Sequence, residues 1–371
     1  MGATTGIEWT DSTWSPIRVR VRHDAAQIAR VKGYPSLVPI AEAMAGRVGP
    51  HCERVSMGCD NCYAATLNHR RLPPNGTGLP YDRRSRDLVE AFVDEDMLLQ
   101  SLRWKRGRKI FVENQSDIFG DWVRDEMLDR VYAVMALCPQ HTFQVLTKRP
   151  ERMLAYLDSR TDNREEAIGA QCLELSGGQH SGLIELPLPN AWHGVSVEDQ
   201  KTADKRIPLL LQVPSTRRFI SAEPLLGQID VWHYLGYVRN PIGKGLRIDW
   251  VIVGGESGRG ARPMHPDWAR ILRGQCVLAG VPYFFKQWGE WAEVPPSWID
   301  DRLSPRMVQT GDAFVTRTGH YDIIGSDLRS QYEVAGLPMR RVGKKASGSL
   351  LDGVAYKDFP EVRMKPGVPA A

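Results

Sequence analysis

"RKIFVENQSDIFGD", residues 108–121, changes character at its middle. The run "RKIFV" is apolar, β-branched and aromatic, as a buried strand requires, and the polar cluster "ENQSD" ends it. A few residues on, "DEMLDRVYAVMALC" (125–138) repeats its apolar residues at three-to-four spacing, which predicts a helix. The same order then recurs. "TFQVL" (142–146) runs into "TKRPER", "AWHGV" (191–195) into "SVEDQ", and "RRFI" (217–220) into "SAEPLLG". "DWVIV" (249–253) runs into "GGESGRG", and "VPYFF" (281–285) into "KQWGEW". "HPDWARILRGQCVLAG" (265–280) reads as a further helix, stopped by Gly280. Strands that alternate with helices build a parallel sheet from βαβ units. With a first strand near "GIEWT" (6–10) the count reaches about seven. The fold class is therefore α/β, and the expected architecture is a partial or complete parallel β/α barrel of about six to seven βα units. A doubly wound sheet stays open, because strand order is not written in the pattern.

Several stretches break the rhythm. Residues 159–190 are polar and Gly-rich, and residues 236–247 are short and basic. Both read as insertions, as does the Arg-bearing stretch 16–50. The barrel is expected over 1–295, with a C-terminal extension over 296–371 that caps it or stands beside it. That extension has strand-like pieces, "DAFVTR" and "GVAYKDF", around the basic "MRRVGKKASGSLLDG".

With 371 residues the chain can bury a large core, and 25% charged and 42% apolar residues are ordinary for a globular protein. A net charge of +4 permits a nucleic-acid partner without requiring one. No apolar run approaches the roughly 18 residues of a membrane helix, so no membrane partner is expected. "MGATTGIEWTDSTW" lacks the basic-then-apolar order of a secretory signal. The expected compartment is the cytoplasm, where thiols stay reduced.

In a β/α barrel the active site lies at the carboxyl ends of the strands. Here those ends carry Asn114, Ser116 and Asp117; Thr147, Lys148 and Arg149; Ser196 and Glu198; Ser221 and Glu223; Glu256 and Ser257; and Lys286 and Gln287. Helix caps and solvated loops account for any one cluster. Six in succession, mixing carboxylates with cations, suit a zwitterionic ligand that bears a ribose. The glycines of "GGE" (254–256) are expected to let main chain approach a ligand, a plain βα turn being the alternative.

"HCERVSMGCDNCYAA" (51–65) holds three of the six cysteines, Cys52, Cys59 and Cys62, spaced C-x6-C-x2-C. Cys138, Cys172 and Cys276 are scattered and read as core residues. Three readings compete for the cluster. One is a zinc site with His51 or His69 as fourth ligand. One is no metal. The third is a [4Fe–4S] cluster held at three irons, whose fourth iron is left open for a ligand. Only the third explains why the count stops at three.

A three-cysteine loop after the first strand of a β/α barrel resembles the radical S-adenosylmethionine (SAM) superfamily. The spacing departs from that group's common C-x3-C-x2-C, and the aromatic follows the last cysteine, as Tyr63. A longer series of blocks resembles the phage and prophage three-Cys-motif family. The blocks include "GIEWTDSTWSP", "VSMGCDNCYA", "QSDIFGDWV", "HTFQVLTKRPERM", "FISAEPLLG", "WVIVGGESGRGARPMHPDW" and "FFKQWGEW". The resemblance implies an enzyme that cleaves SAM reductively at a cluster on Cys52, Cys59 and Cys62. It implies SAM contacts on Tyr63, Ser116, Asp117, Lys148, Ser196, Glu198, Glu223 and Glu256. It also implies a three-Cys-motif partner protein and a reductase or flavodoxin-type electron donor. The expected substrate is a nucleic-acid base or nucleotide. The basic stretches "HRRLPP" (69–74), "DRRSRD" (82–87) and "RWKRGRK" (103–109) fit DNA, although each also reads as a solvated face. Eleven tryptophans offer stacking surfaces or, more simply, core packing. The rival expectation is a zinc-binding, non-catalytic DNA-binding or adaptor protein of phage origin.

Overall fold

The computed structural model describes residues 5–70, 76–158, 163–236, 246–293, 312–318, 321–323 and 337–361. Its strands are β1 (Ser12–Trp14), β2 (Ile17–Val21), β3 (Val48–Gly49), β4 (Val89–Val93), β5 (Lys109–Val112), β6 (Thr142–Thr147) and β7 (Ala191–Ser196). There follow β8 (Arg218–Ala222), β9 (Trp250–Gly254), β10 (Tyr283–Gln287), β11 (Trp291–Glu293), β12 (Ala313–Val315), β13 (Tyr321–Ile323) and β14 (Leu337–Arg341). The helices are α1 (Ala25–Val31), α2 (Val38–Met44), α3 (Tyr63–Arg70), α4 (Arg83–Arg86), α5 (Glu95–Leu98) and α6 (Asp125–Leu137). Beyond them lie α7 (Pro150–Leu157), α8 (Arg164–Leu175), α9 (Gln200–Gln212), α10 (Pro266–Ala279) and α11 (Lys344–Ser347).

The fold is α/β. Its main sheet has seven strands in the order β1-β5-β6-β7-β8-β9-β10, the connectivity of a partial β/α barrel. The chain divides into two compact units. One holds Met1–Val195, Leu209–Arg218 and Glu361–Ala371, the other Ser196–Pro208 and Phe219–Pro360.

In the first unit β1, β5, β6 and β7 pair in parallel. Their side chains are almost wholly buried, as expected of strands covered on both faces. The first strand is not "GIEWT". That segment turns, with Thr10 N–H bonded to the Ile7 carbonyl, and Trp9 is buried against Phe111. The pairing begins later, at Ser12 opposite Ile110. The stretch 16–50 carries β2, α1, α2 and β3, and β3-β2-β4 form an antiparallel sheet separate from the main one. The Gly-rich stretch 159–190 yields α8, whose Ile168 and Cys172 are buried.

In the second unit β8, β9 and β10 are parallel. α10 starts with His265 as its cap and ends on Gly280 in the left-handed conformation (φ 63°). Gly280 can take that angle because it has no Cβ. β11-β14-β12-β13 make an antiparallel sheet, so "DAFVTR" does supply a strand. "GVAYKDF" forms no regular strand, but it lies along β10. Phe285 N–H donates to the Tyr356 carbonyl, and Lys357 bridges antiparallel to Phe284. Most of 236–247, and 71–74 of the first basic stretch, lie outside the described residues. Among the described residues no helix is long and apolar enough to cross a membrane.

Candidate functional site

The three-cysteine loop lies in the first unit, fastened to the carboxyl ends of β5 and β6. The turn after β5 does most of the fastening. Ser116 Oγ donates to the His51 carbonyl (2.5 Å), Tyr63 OH to the Asn114 carbonyl (2.6 Å) and Tyr81 OH to the Gln115 carbonyl (2.8 Å). Asp117 is buried and gathers donors at the end of β6. Thr147 Oγ1 lies at 2.7 Å, the Lys148 N–H at 3.1 Å and Arg149 Nη1 at 2.9 Å. Arg149 continues to the Glu53 carbonyl (3.1 Å) and lies over the Trp122 ring (5.1 Å). Lys148 Nζ reaches Ser56 Oγ (3.5 Å).

Cys52, Cys59 and Cys62 are half-buried and reduced. The Cys52 thiol is pushed well up, first by burial and then by the negative charge of Asp117, with Arg149 opposing. The neighbouring thiols of Cys59 and Cys62 act on it in the same direction as Asp117. Within the loop the Cys62 N–H bonds to the Cys59 carbonyl (3.4 Å), and Ser56 Oγ lies 4.0 Å from Cys59 Sγ.

Both candidate histidines face other groups. His51 is buried, its ring edge-on to Trp122 (4.7 Å), with Nε2 3.6 Å from Glu53 Oε1. Burial lowers its pKa. His69 Nδ1 faces the Gly78 carbonyl (3.3 Å). Among the described residues no three His, Cys, Asp or Glu side chains stand close enough to hold one metal ion. A single zinc would need its donors within about 2.0–2.3 Å of one point. A cubane cluster instead spreads its thiolates over separate irons. By donor chemistry thiols suit either group, and a cluster does not require its three thiolates to meet at one point.

Seven expected site residues thus lie together in the first unit: Cys52, Cys59, Cys62, Tyr63, Ser116, Asp117 and Lys148. The other four lie in the second unit, already engaged. Ser196 accepts at its carbonyl, and Glu198 at Oε2, from the buried Arg206 (2.8 and 2.9 Å). Glu256 receives both Nε and Nη2 of Arg262 (2.8 and 2.6 Å). Glu223 pairs through Oε2 with Lys286, while its Oε1 is buried with no hydrogen-bond partner among the described residues. A buried acceptor of this kind calls for a donor, such as a water, an ion or a ligand.

The two glycines of "GGE" differ: Gly254 lies against the Glu223 side chain, and Gly255 serves another backbone. Gly255 N–H donates to the Gln287 carbonyl (2.9 Å), and a Cβ on Gly255 would lie 1.9 Å from the Trp288 carbonyl oxygen. The turn is sewn to the end of β10.

Some residues that matter carried no signal by type. Glu53 is gripped by Arg86 (2.5 Å), so one arginine of "DRRSRD" is structural, while Arg83 is exposed. In "RWKRGRK", Arg108 lies over Trp104 (4.7 Å), and Arg103 and Arg106 are exposed. Trp14, Trp250 and Trp268 pack the core. Glu113 follows β5 directly and is not singled out by the sequence, while Arg149 stands among the strand-end residues without a stated role. Burial does not separate them from the expected set, since Asp117, Ser196, Glu198 and Glu256 are buried too.

A parallel α/β fold with a three-thiol loop held at the strand ends defines the class of this molecule. Residues 46–360 match the family described as "Protein of unknown function (DUF5131)", and the chain belongs to that family. No curated protein and no solved structure matches it.

Proposed function

We propose that this chain is a radical SAM enzyme, with Cys52, Cys59 and Cys62 as the ligands of a [4Fe–4S] cluster. One observation carries the reading: the three-cysteine loop is bound by side chains to the carboxyl ends of two parallel strands, where α/β proteins do their chemistry. When bound, the cluster supplies the electron that breaks a carbon–sulfur bond of SAM.

The chain's own part is to hold and orient. Three thiolates leave one iron without a protein ligand. Lys148 brings a cation to Ser56 in the loop, a charge suited to a carboxylate. Tyr63 is half exposed, and its hydroxyl is tied to Asn114, which fixes the ring against the loop. Ser116 and Asp117 act on the loop and on β6, so their part in SAM binding is to keep the floor of the site in place. In the second unit Glu223 is the best acceptor for a ligand donor, through its unpartnered Oε1. Ser196, Glu198 and Glu256 support that unit's strand ends through Arg206 and Arg262.

The proposed substrate is a nucleic-acid base or a nucleotide. Exposed Arg83, Arg103 and Arg106 support this by charge. A flavodoxin-type donor and a three-Cys-motif partner protein belong to the same proposal. Anaerobic reconstitution tests it: about four irons per chain are expected. Stoichiometric zinc without iron would instead mark a non-catalytic zinc protein.

A further inference from the structure

Cys59 and Cys62 position each other. Two residues separate them, a single 3-10 turn (Met57–Cys59) carries the first, and the Cys62 N–H closes onto the Cys59 carbonyl. Cys52 has no such short tether. Six residues lie between it and Cys59, so its place has to be set from outside the loop.

The outside contacts fall on both sides of it. The carbonyl before Cys52 accepts from Ser116, and the carbonyl after it from Arg149. Arg149 is the stiffer of the two. One arm of its guanidinium binds Asp117 and the other the Glu53 carbonyl, and its plane rests on Trp122. Its side chain is 11% exposed. Asp117 is itself fixed to Thr147 and to the Lys148 N–H, so a continuous path of polar contacts runs from the end of β6 to the backbone beside Cys52. A planar fork with donors in two set directions can span two acceptors on different elements. An ammonium, a point charge on a flexible stem, cannot hold both in register.

We propose that Arg149 is a positioning residue for the three-cysteine site: it sets where Cys52 stands relative to the self-positioned pair of Cys59 and Cys62. The proposal rests on reading the three cysteines as one ligand set. It explains how a chain with a six-residue gap can still present three thiols to one group.

The test compares the full chain with Arg149→Met, Arg149→Lys and the milder Ser116→Ala. Without metal, amides of residues 52–56 should exchange with deuterium about tenfold faster in both Arg149 variants, and by a smaller factor in Ser116→Ala. Amides of α6 should not change. After loading with iron and sulfide, both Arg149 variants should hold less than half the iron of the wild type. The cluster that does form should have a lower reduction potential in Arg149→Met, which has lost a nearby cation, and an unchanged one in Arg149→Lys. A purely structural role would not separate the two in this way. Unchanged loop exchange in the folded variants overturns the proposal. So does faster exchange throughout the unit, which would report a general loss of fold. Faster exchange confined to the loop, in a chain whose wild type takes up no iron, upholds the positioning of Cys52 and overturns the cluster reading alone.

Discussion

Glu113 stands directly after β5 with φ 55°, a left-handed backbone that few residues other than glycine, asparagine and aspartate adopt. Its Oε1 accepts the Ile17 N–H (2.8 Å), while Oε2 is buried without a partner among the described residues. Burial pushes the carboxyl up to about 8. The folded value lies above the ordinary 4.5, so the stability it contributes is complete below pH 4.5 and is lost as pH rises through 8. Glu113→Gln keeps the acceptor for Ile17 and cannot ionise. It should match the wild type near pH 5 and exceed it by a few kcal/mol near pH 9, because the wild type loses ~1.36 kcal/mol for each pH unit over which its buried carboxyl stays protonated and an exposed one would not. Denaturant titrations at the two pH values check this, and parallel behaviour would mean that the carboxyl reaches water. The cysteines divide by the same logic of surroundings. Cys138, Cys172 and Cys276 are buried, and their alanine variants should lose about 1 kcal/mol each and keep all bound iron. Cys52→Ala, Cys59→Ala and Cys62→Ala should each lose the iron and keep the fold, read by iron analysis beside thermal unfolding. At this scale the thiols were legible, because their type and spacing announce them. Glu113 was not, because an ionisable side chain gains its role from what covers it, and Arg149 was legible as a strand-end residue but not as an anchor of the loop.

α8 shows what periodicity leaves out. "REEAIGAQCLEL" lies in a polar, Gly-rich stretch, and Gly169 interrupts the helical pattern at its middle. The glycine is there for contact, since a Cβ would fall 1.9 Å from the Gly182 carbonyl oxygen. The helix is held instead by its first residue. Arg164 is buried, binds Asp129 and Asp125 of α6 (both 2.9 Å) and lies over Tyr156 of α7 (4.4 Å). Burial already raises the Asp129 pKa, and Arg164 is the cation that opposes the rise. Arg164→Met should therefore destabilise the chain by up to about 3 kcal/mol, since it leaves the buried Asp129 carboxylate without its cation, held by Tyr156 alone. Asp129→Asn added to that variant should recover part of the loss, and a double-mutant cycle in denaturant measures the coupling. Additive losses would mean that the ion pair contributes nothing beyond packing. α6 and α10, by contrast, were legible to within a residue, because each carries an uninterrupted apolar stripe.

The parallel sheet was legible as a whole because strands covered on both faces must be apolar throughout. Its ends were harder to read. At one end β1 is only three residues long, and the buried Trp9 drew the expected strand too early. At the other end a chain segment from the C-terminal region covers β10, a pairing between residues about seventy positions apart that no local pattern encodes. The segment is bound by more than backbone. Trp250 Nε1 donates to the Asp358 carbonyl (2.9 Å), and Phe359 packs on Trp250 and Phe284 (ring centroids 5.0 and 5.3 Å). An uncovered outer strand presents a row of free N–H and C=O groups to any second strand. The segment at 354–359 therefore acts as a cover for the sheet, and its removal should cost solubility as well as stability. A chain ending at residue 350 should associate in a concentration-dependent way, detected by light scattering of the eluted protein. The full chain carrying Phe359→Ala should stay as dispersed as the wild type and lose about 3 kcal/mol of stability, since the backbone pairing remains while an aromatic contact is lost. Equal dispersion of the shortened and full chains would show that β10 does not need its cover.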